Sequence, residues 1–124
     1  MGRVVVGIAG VKEFVGRLND FDRDKVTEVD KAVHESGFFL QGEVKESIAG
    51  QRAEPRSVDT GRFLNSVEVD NSRPLVSEVG SDVEYAEALE YGSSRMMPRA
   101  HFQNSVLRNA DRILEFIKNA IKTE

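Results

Sequence analysis

Residues 23–49 read RDKVTEVDKAVHESGFFLQGEVKESIA, and the spacing of their apolar members decides the fold. Val26, Val29, Val33, Leu40, Val44 and Ile48 advance by three, four or seven positions, which places them on one face of a helix with 3.6 residues per turn. The stretch predicts a single long helix, roughly 40 Å end to end at 1.5 Å per residue. Gly37 and Gly42 fall inside it, and each costs about 1 kcal/mol relative to alanine in a helix interior. Close packing of a neighbouring segment is the preferred reading of that cost; a bend fitting the helix to a curved assembly is the other.

Toward the C-terminus, residues 50–59 contain Gly50, Pro55 and the basic Arg52 and Arg56 with little apolar content, and are expected to form an exposed loop. Ser66-Val67-Glu68-Val69-Asp70 alternates apolar and polar residues, the period of a half-buried strand. Leu75 to Val79 can pair with it across Asn71-Ser72-Arg73-Pro74, giving an antiparallel hairpin. Beyond Pro98, the residues Phe102, Val106, Ala110, Ile113, Ile117 and Ile121 step at helical spacing. That predicts an amphipathic C-terminal helix, with Lys118 and Lys122 near its negative end. Toward the N-terminus, Val4, Val5, Val6 and Ile8 form a β-branched run bounded by glycines and read as a short buried strand. Val11, Phe14, Val15 and Leu18 predict a short helix after Gly10, and Asn19 to Asp22 a turn that can cap the long helix.

The chain has 124 residues, of which 40% are apolar, a size suited to one domain spanning 1–124. Its formal net charge is -4, which argues against a domain whose main task is gripping phosphates. With no cysteine, disulfides, thiolate chemistry and cysteine-ligated zinc are excluded. The N-terminal apolar stretch is too short for a signal-peptide core, and no stretch approaches the roughly 20 apolar residues of a membrane span. A soluble product without membrane contact is expected.

No constellation of reactive groups stands out. His34 and His101 belong to no metal-ligand pattern, so neither a metal nor a cofactor is expected. His101 with Ser93 or Ser94 and a distant Asp can be drawn as a triad, yet the Gly-x-Ser-x-Gly elbow is missing. Gly7, Gly10 and Gly16 lack the Gly-Lys-Ser/Thr of a phosphate loop. Asp59-Thr60-Gly61-Arg62 reads as a rigid turn leading into the strand that carries Val67 and Val69: Asp59 or Thr60 can accept downstream N–H groups, and Gly61 permits a tight backbone. In Glu90-Tyr91-Gly92, a buried Glu90 needs a partner, for which Arg62 is the candidate; otherwise Glu90 is a solvated acid. Tyr85 and Tyr91 read as core or interface fillers. Arg52, Arg56, Arg62, Arg95 and Arg99 either gather into one basic patch or are dispersed salt-bridge donors.

Three short signatures succeed one another: Val58 to Val67 with its Asp-Thr-Gly-Arg turn, Glu84 to Gly92 with Tyr85-Ala86 and Glu90-Tyr91-Gly92, and Met97-Pro98-Arg99-Ala100-His101-Phe102. Their order and spacing resemble the minor tail-component, or tail-completion, family of long-tailed phages. The resemblance implies an α+β fold, a small mostly antiparallel sheet packed by one long central helix and a C-terminal helix. It further implies a virion structural protein, made in the host cytoplasm and not an enzyme, forming a ring of six copies at the neck. There it joins the tail tube protein to the head-tail connector or adaptor proteins while DNA passes through. Implied assembly residues are Arg52, Arg56, Asp59, Thr60, Gly61, Arg62, Tyr85, Glu90, Tyr91 and Gly92. The loop from Gly50 to Val58 is longer than the family's usual connection, and Ala100-His101-Phe102 replaces a proline directly before the phenylalanine. A tail terminator or head-tail adaptor is the nearest alternative; a small nucleic-acid-binding regulator and a serine hydrolase are the alternatives from other classes.

Overall fold

The computed structural model describes residues 3–11, 23–58 and 61–121. The elements are β1 (Val4–Ile8), α1 (Arg23–Ile48), α2 (Arg62–Asn65), β2 (Glu68–Asp70), β3 (Ser77–Ser81), α3 (Ala86–Tyr91) and α4 (His101–Ile121). Past Val11, the helix expected after Gly10 lies outside the described residues, as do the turn at Asn19 to Asp22, Asp59 and Thr60, and Lys122.

The sheet has the order β1-β3-β2 and is antiparallel throughout. Val6, Val79 and Val69 stand in line across it, and because side chains alternate along a strand, Val4, Ser77 and Ser81 share their face. The long α1 packs against all three strands, and α4 packs along α1 and against β1. Val29, Val33, Leu40, Val44 and Ile48 of α1 are fully buried together with Val4, Val79 and Phe102. Each such side chain contributes about 1.5–3 kcal/mol relative to exposure, so this one layer of helix on sheet dominates the stability of an α+β fold. β1 is an edge strand in which only Val4 is fully buried; Val6 and Ile8 are half-buried.

Gly37 is where α1 crosses β3. A Cβ there would overlap Ser77 Oγ and lie 2.9 Å from Ser77 Cβ, so close approach of the strand explains this glycine. Gly42 has open space on the side where a Cβ would stand, and nothing in the structure explains it.

Two boundaries depart from the periodicity. The expected strand from Leu75 begins instead at Ser77, because Leu75 takes a left-handed backbone (φ 61). Its N–H donates to Asp30 Oδ1 of α1 at 2.7 Å, and His34 Nε2 is 3.0 Å from the Arg73 carbonyl; tertiary bonds to α1 hold the connection out of the strand. Gly61 and Arg62 do not lead straight into a strand either. One turn of helix, α2, intervenes, ended by Ser66, whose N–H and Oγ both donate to the Phe63 carbonyl. On α4 the buried side holds His101, Ser105 and Asn109 beside Phe102, Ile113 and Ile117, while Val106 is half-buried and Ala110 exposed. Buried polar groups thus occupy part of a stripe that periodicity alone assigns to apolar residues.

Candidate functional site

The segment joining α1 to α2 leaves the helix at Gly50, whose φ of 85° suits glycine. Most of it is exposed, but Glu54 is buried. Arg108 of α4 grips the Glu54 carboxylate with both terminal nitrogens, each at 3.0 Å, and Asn104 Nδ2 adds a bond at 3.1 Å. Burial pushes the Glu54 carboxyl up; the hydrogen bonds from Arg108, Ser47 and Asn104 outweigh it and bring it down to about 2. Glu54 is therefore an ionised acceptor at neutral pH.

That fixes the protons along a chain of buried groups. Ser47 Oγ is 2.6 Å from Glu54 Oε1 and has one proton, which it donates there. At 2.8 Å from His101 Nδ1 it can then only accept, so Nδ1 carries the hydrogen. His101 Nε2 is consequently an acceptor, and Ser57 Oγ donates to it at 2.7 Å. Ser57 Oγ in turn accepts from Arg99 Nη1 at 2.9 Å, a nitrogen that also donates to the Arg56 carbonyl at 3.0 Å. Burial is the main cause holding His101 down at about 4, and both its nitrogens are bonded as the neutral ring. The chain pins residues 54–57 to α1 and α4.

Ser57, His101 and Ser47 stand in the order of a nucleophile, a base and an orienting group, but the chemistry is wrong for catalysis. A useful base titrates near the working pH, whereas His101 is fully buried and far below it. The triad drawn from sequence with Ser93 or Ser94 does not form. Those serines sit in an exposed turn where Ser93 pairs with Met96, and His101 faces Ser47 and Ser57 instead.

The arginines separate into two groups. Arg52 reaches back to α1, bonding Glu43 at 2.9 Å and Glu46 at 2.8 Å, and its hydrogen bond is the main cause lowering the Glu43 carboxyl. Arg56, Arg62 and Arg99 instead line a pocket of about 550 Å³ with Val58, Gly61, Phe63, Tyr85 and Leu89. Arg62 does not pair with Glu90. Its guanidinium clamps Glu84 with two bonds of 2.7 Å, on the surface, and lies 5.8 Å from the Tyr85 ring centre, while Tyr85 meets Phe63 edge-on at 5.9 Å. Glu90 is buried and accepts the N–H groups of Phe102 and Gln103 at 2.9 and 2.8 Å, filling donors left open at the start of α4.

Of the residues singled out in sequence, Arg56, Gly61, Arg62 and Tyr85 meet at this pocket. Glu90 is buried at the start of α4, Arg52 is half-buried in its ion pairs with Glu43 and Glu46, and Arg95 is exposed. Gly92 ends α3, where a Cβ would lie 2.8 Å from Pro98 Cδ. Tyr91 is exposed. The polar chain through Ser47, Glu54, Ser57 and Arg108 escaped sequence reasoning; the i, i+4 pair Asn104 and Arg108 on one face of α4, matched to a lone acid in a loop, is the one signal that pointed to it. Among the described residues no group of acids and histidines is placed to hold a metal ion, and no helix is long and apolar enough to cross a membrane.

No curated protein and no solved structure gives a significant match. The family model described as a bacteriophage tail component, after HK97 gp10, matches residues 12–92. That span takes in the long helix, the pinned loop, the hairpin and α3, together with most of the pocket. The chain belongs to the HK97-gp10-like family of phage tail components.

Proposed function

We propose that this tail component completes the tail at the neck, where copies of the chain close into a ring, of six subunits on the resemblance, between the tail tube and the head connector. The family membership carries this reading. Function then lies in surface complementarity, and each stable contact buries something like 800 Å² per partner. The surface supplies material for such contacts: Phe38, Tyr91, Met97 and Leu107 are each more than half exposed, as expected of groups covered on assembly. A net charge of -4 suits a lumen through which DNA slides without sticking. The nucleic-acid-binding regulator loses support from the pairing of Arg52 and Arg62 with carboxylates, which removes cations from the cluster it requires.

The test is deletion of the gene from a producing phage or prophage, followed by electron microscopy of lysates. Filled heads and tails that accumulate unjoined, with joining restored by the gene in trans, are the expected outcome. Normal virions from the deletion strain would end the proposal, and fibres of uncontrolled tail length would favour the terminator reading.

A further inference from the structure

The pocket between α2, α3 and the pinned loop has an apolar floor and a cationic rim. Val58, Phe63 and Leu89 line it together with Arg56 and Arg99. The Arg56 side chain is exposed and makes no ion pair or hydrogen bond among the described residues. Arg99 spends one terminal nitrogen on Ser57 and the Arg56 carbonyl, a geometry that fixes its guanidinium at the rim. A positive pocket on a body of net charge -4 is a local inversion of sign, and it suits a carboxylate flanked by apolar groups.

The outward side of α4 presents such a group. Leu107, Asp111 and Leu114 follow one another at i, i+4 and i+7, the spacing of anchors that a helix lays into a groove. Leu107 is 69% exposed and Leu114 49%, and Asp111 is exposed with no ion pair among the described residues. Leu107 and Asp111 lie opposite the side of α4 that packs on α1, and Leu114 stands at the edge of a groove it shares with Val11, Leu40 and Ile117. Asp111 stands ten residues beyond His101, about 15 Å along the helix, so this stripe is a surface separate from the pocket.

We infer that the pocket is the receiving half of a contact between two copies of this chain, with Asp111 of the second copy set between Arg56 and Arg99 and its leucines on the apolar floor. Pocket and stripe are different surfaces, so the contact is head-to-tail; it propagates around a ring where the rotation closes and into a filament where it does not. The inference rests on the reading that copies of the chain assemble, and it supplies the chemistry of their interface.

Sedimentation velocity of the full chain over a concentration series tests it, with circular dichroism to show that each variant is folded. Both substituted side chains are exposed, so folding is expected to survive. Arg56→Glu and Asp111→Lys should each weaken self-association about tenfold or more, and the double variant, with the charges exchanged, should regain it. Single variants that associate like the wild type, or a double variant that stays dissociated, would overturn the inference. So would a wild type that remains monomeric at the highest attainable concentration. A fluorescent oligonucleotide that binds the wild type and not Arg56→Glu would assign the pocket to nucleic acid instead, again overturning it. The neck proposal is judged separately by the deletion lysates, so the failure of one is distinguishable from the failure of the other.

Discussion

The Glu90 carboxylate, at the end of α3, accepts the backbone N–H groups of Phe102 and Gln103 at the start of α4, its two oxygens taking one each. A helix start leaves N–H groups without intrahelical partners, and here the acceptor comes from another helix, so the bond that caps α4 also docks α3 against it. Burial pushes the Glu90 carboxyl up, and the two N–H groups partly offset this. Glu90→Ala is expected to destabilise the fold by about 2 kcal/mol, since it orphans two donors at a buried helix start. Glu90→Gln, which keeps one acceptor oxygen, should cost less. Urea unfolding of both variants checks the order; equal losses would mean that the carboxylate does no capping.

His101 makes stability depend on pH in a defined window. Its ordinary value of 6.5 falls to about 4 in the folded protein, so between those values the unfolded chain binds a proton that the native chain does not. Stability is complete above 6.5 and is lost as pH falls toward 4, by about 2 kcal/mol between pH 7 and pH 5. Glu54, held at about 2, adds its own loss only below 4.5. The measurement is urea unfolding at pH 7, 6 and 5. His101→Gln should show a flatter dependence over that range whatever its absolute stability, and an unchanged slope would remove His101 as the source.

Ser77 Oγ is buried without a hydrogen-bond partner among the described residues, directly beneath Gly37. An orphaned hydroxyl costs on the order of 1 kcal/mol, so Ser77→Ala should be neutral or stabilising by about that amount. Gly37→Ala should destabilise by about 2 kcal/mol or more through steric overlap, even though alanine is the better helix former. In the double variant part of that loss should return, because the Oγ is gone while the Cβ contact remains. Thermal unfolding of the three variants reads the coupling directly.

Arg62 and Glu84 form their bidentate pair in the open, with side chains 56% and 53% exposed. A pair this open to solvent is screened and contributes little, so Arg62→Glu should leave a folded monomer whose stability falls only slightly. Arg62 also lines the pocket, and reversing its sign there should impair assembly. Light scattering at matched concentrations checks this; assembly equal to the wild type counts against any role for this surface.

Much of the architecture is legible in the sequence wherever one face of an element is apolar. The helix from Arg23 ends within one residue of its expected limit, because Val29, Val33, Leu40, Val44 and Ile48 all meet the sheet or α4. The hairpin is also anticipated, but its second strand starts two residues late, since the bond from Leu75 N–H to Asp30 competes with strand pairing. The short α2 and α3 carry no sequence signal of their own: with four and six residues they are too short for periodicity, and packing rather than propensity stabilises them.

Sequence alone determined the long helix, the hairpin, the amphipathic last helix and the family, since each depends on local periodicity or on short motifs in fixed order. Tertiary structure alone decided the partners of the polar groups. Glu90 went to a helix start instead of to Arg62, His101 to Ser47 and Ser57 instead of to Ser93, and Arg52 to Glu43 while Arg56, Arg62 and Arg99 met around one pocket. The physical reason is range: apolar burial is non-directional and leaves a period in the chain, whereas a hydrogen bond needs a distance and an angle between residues as much as 66 positions apart, and only the folded backbone sets these.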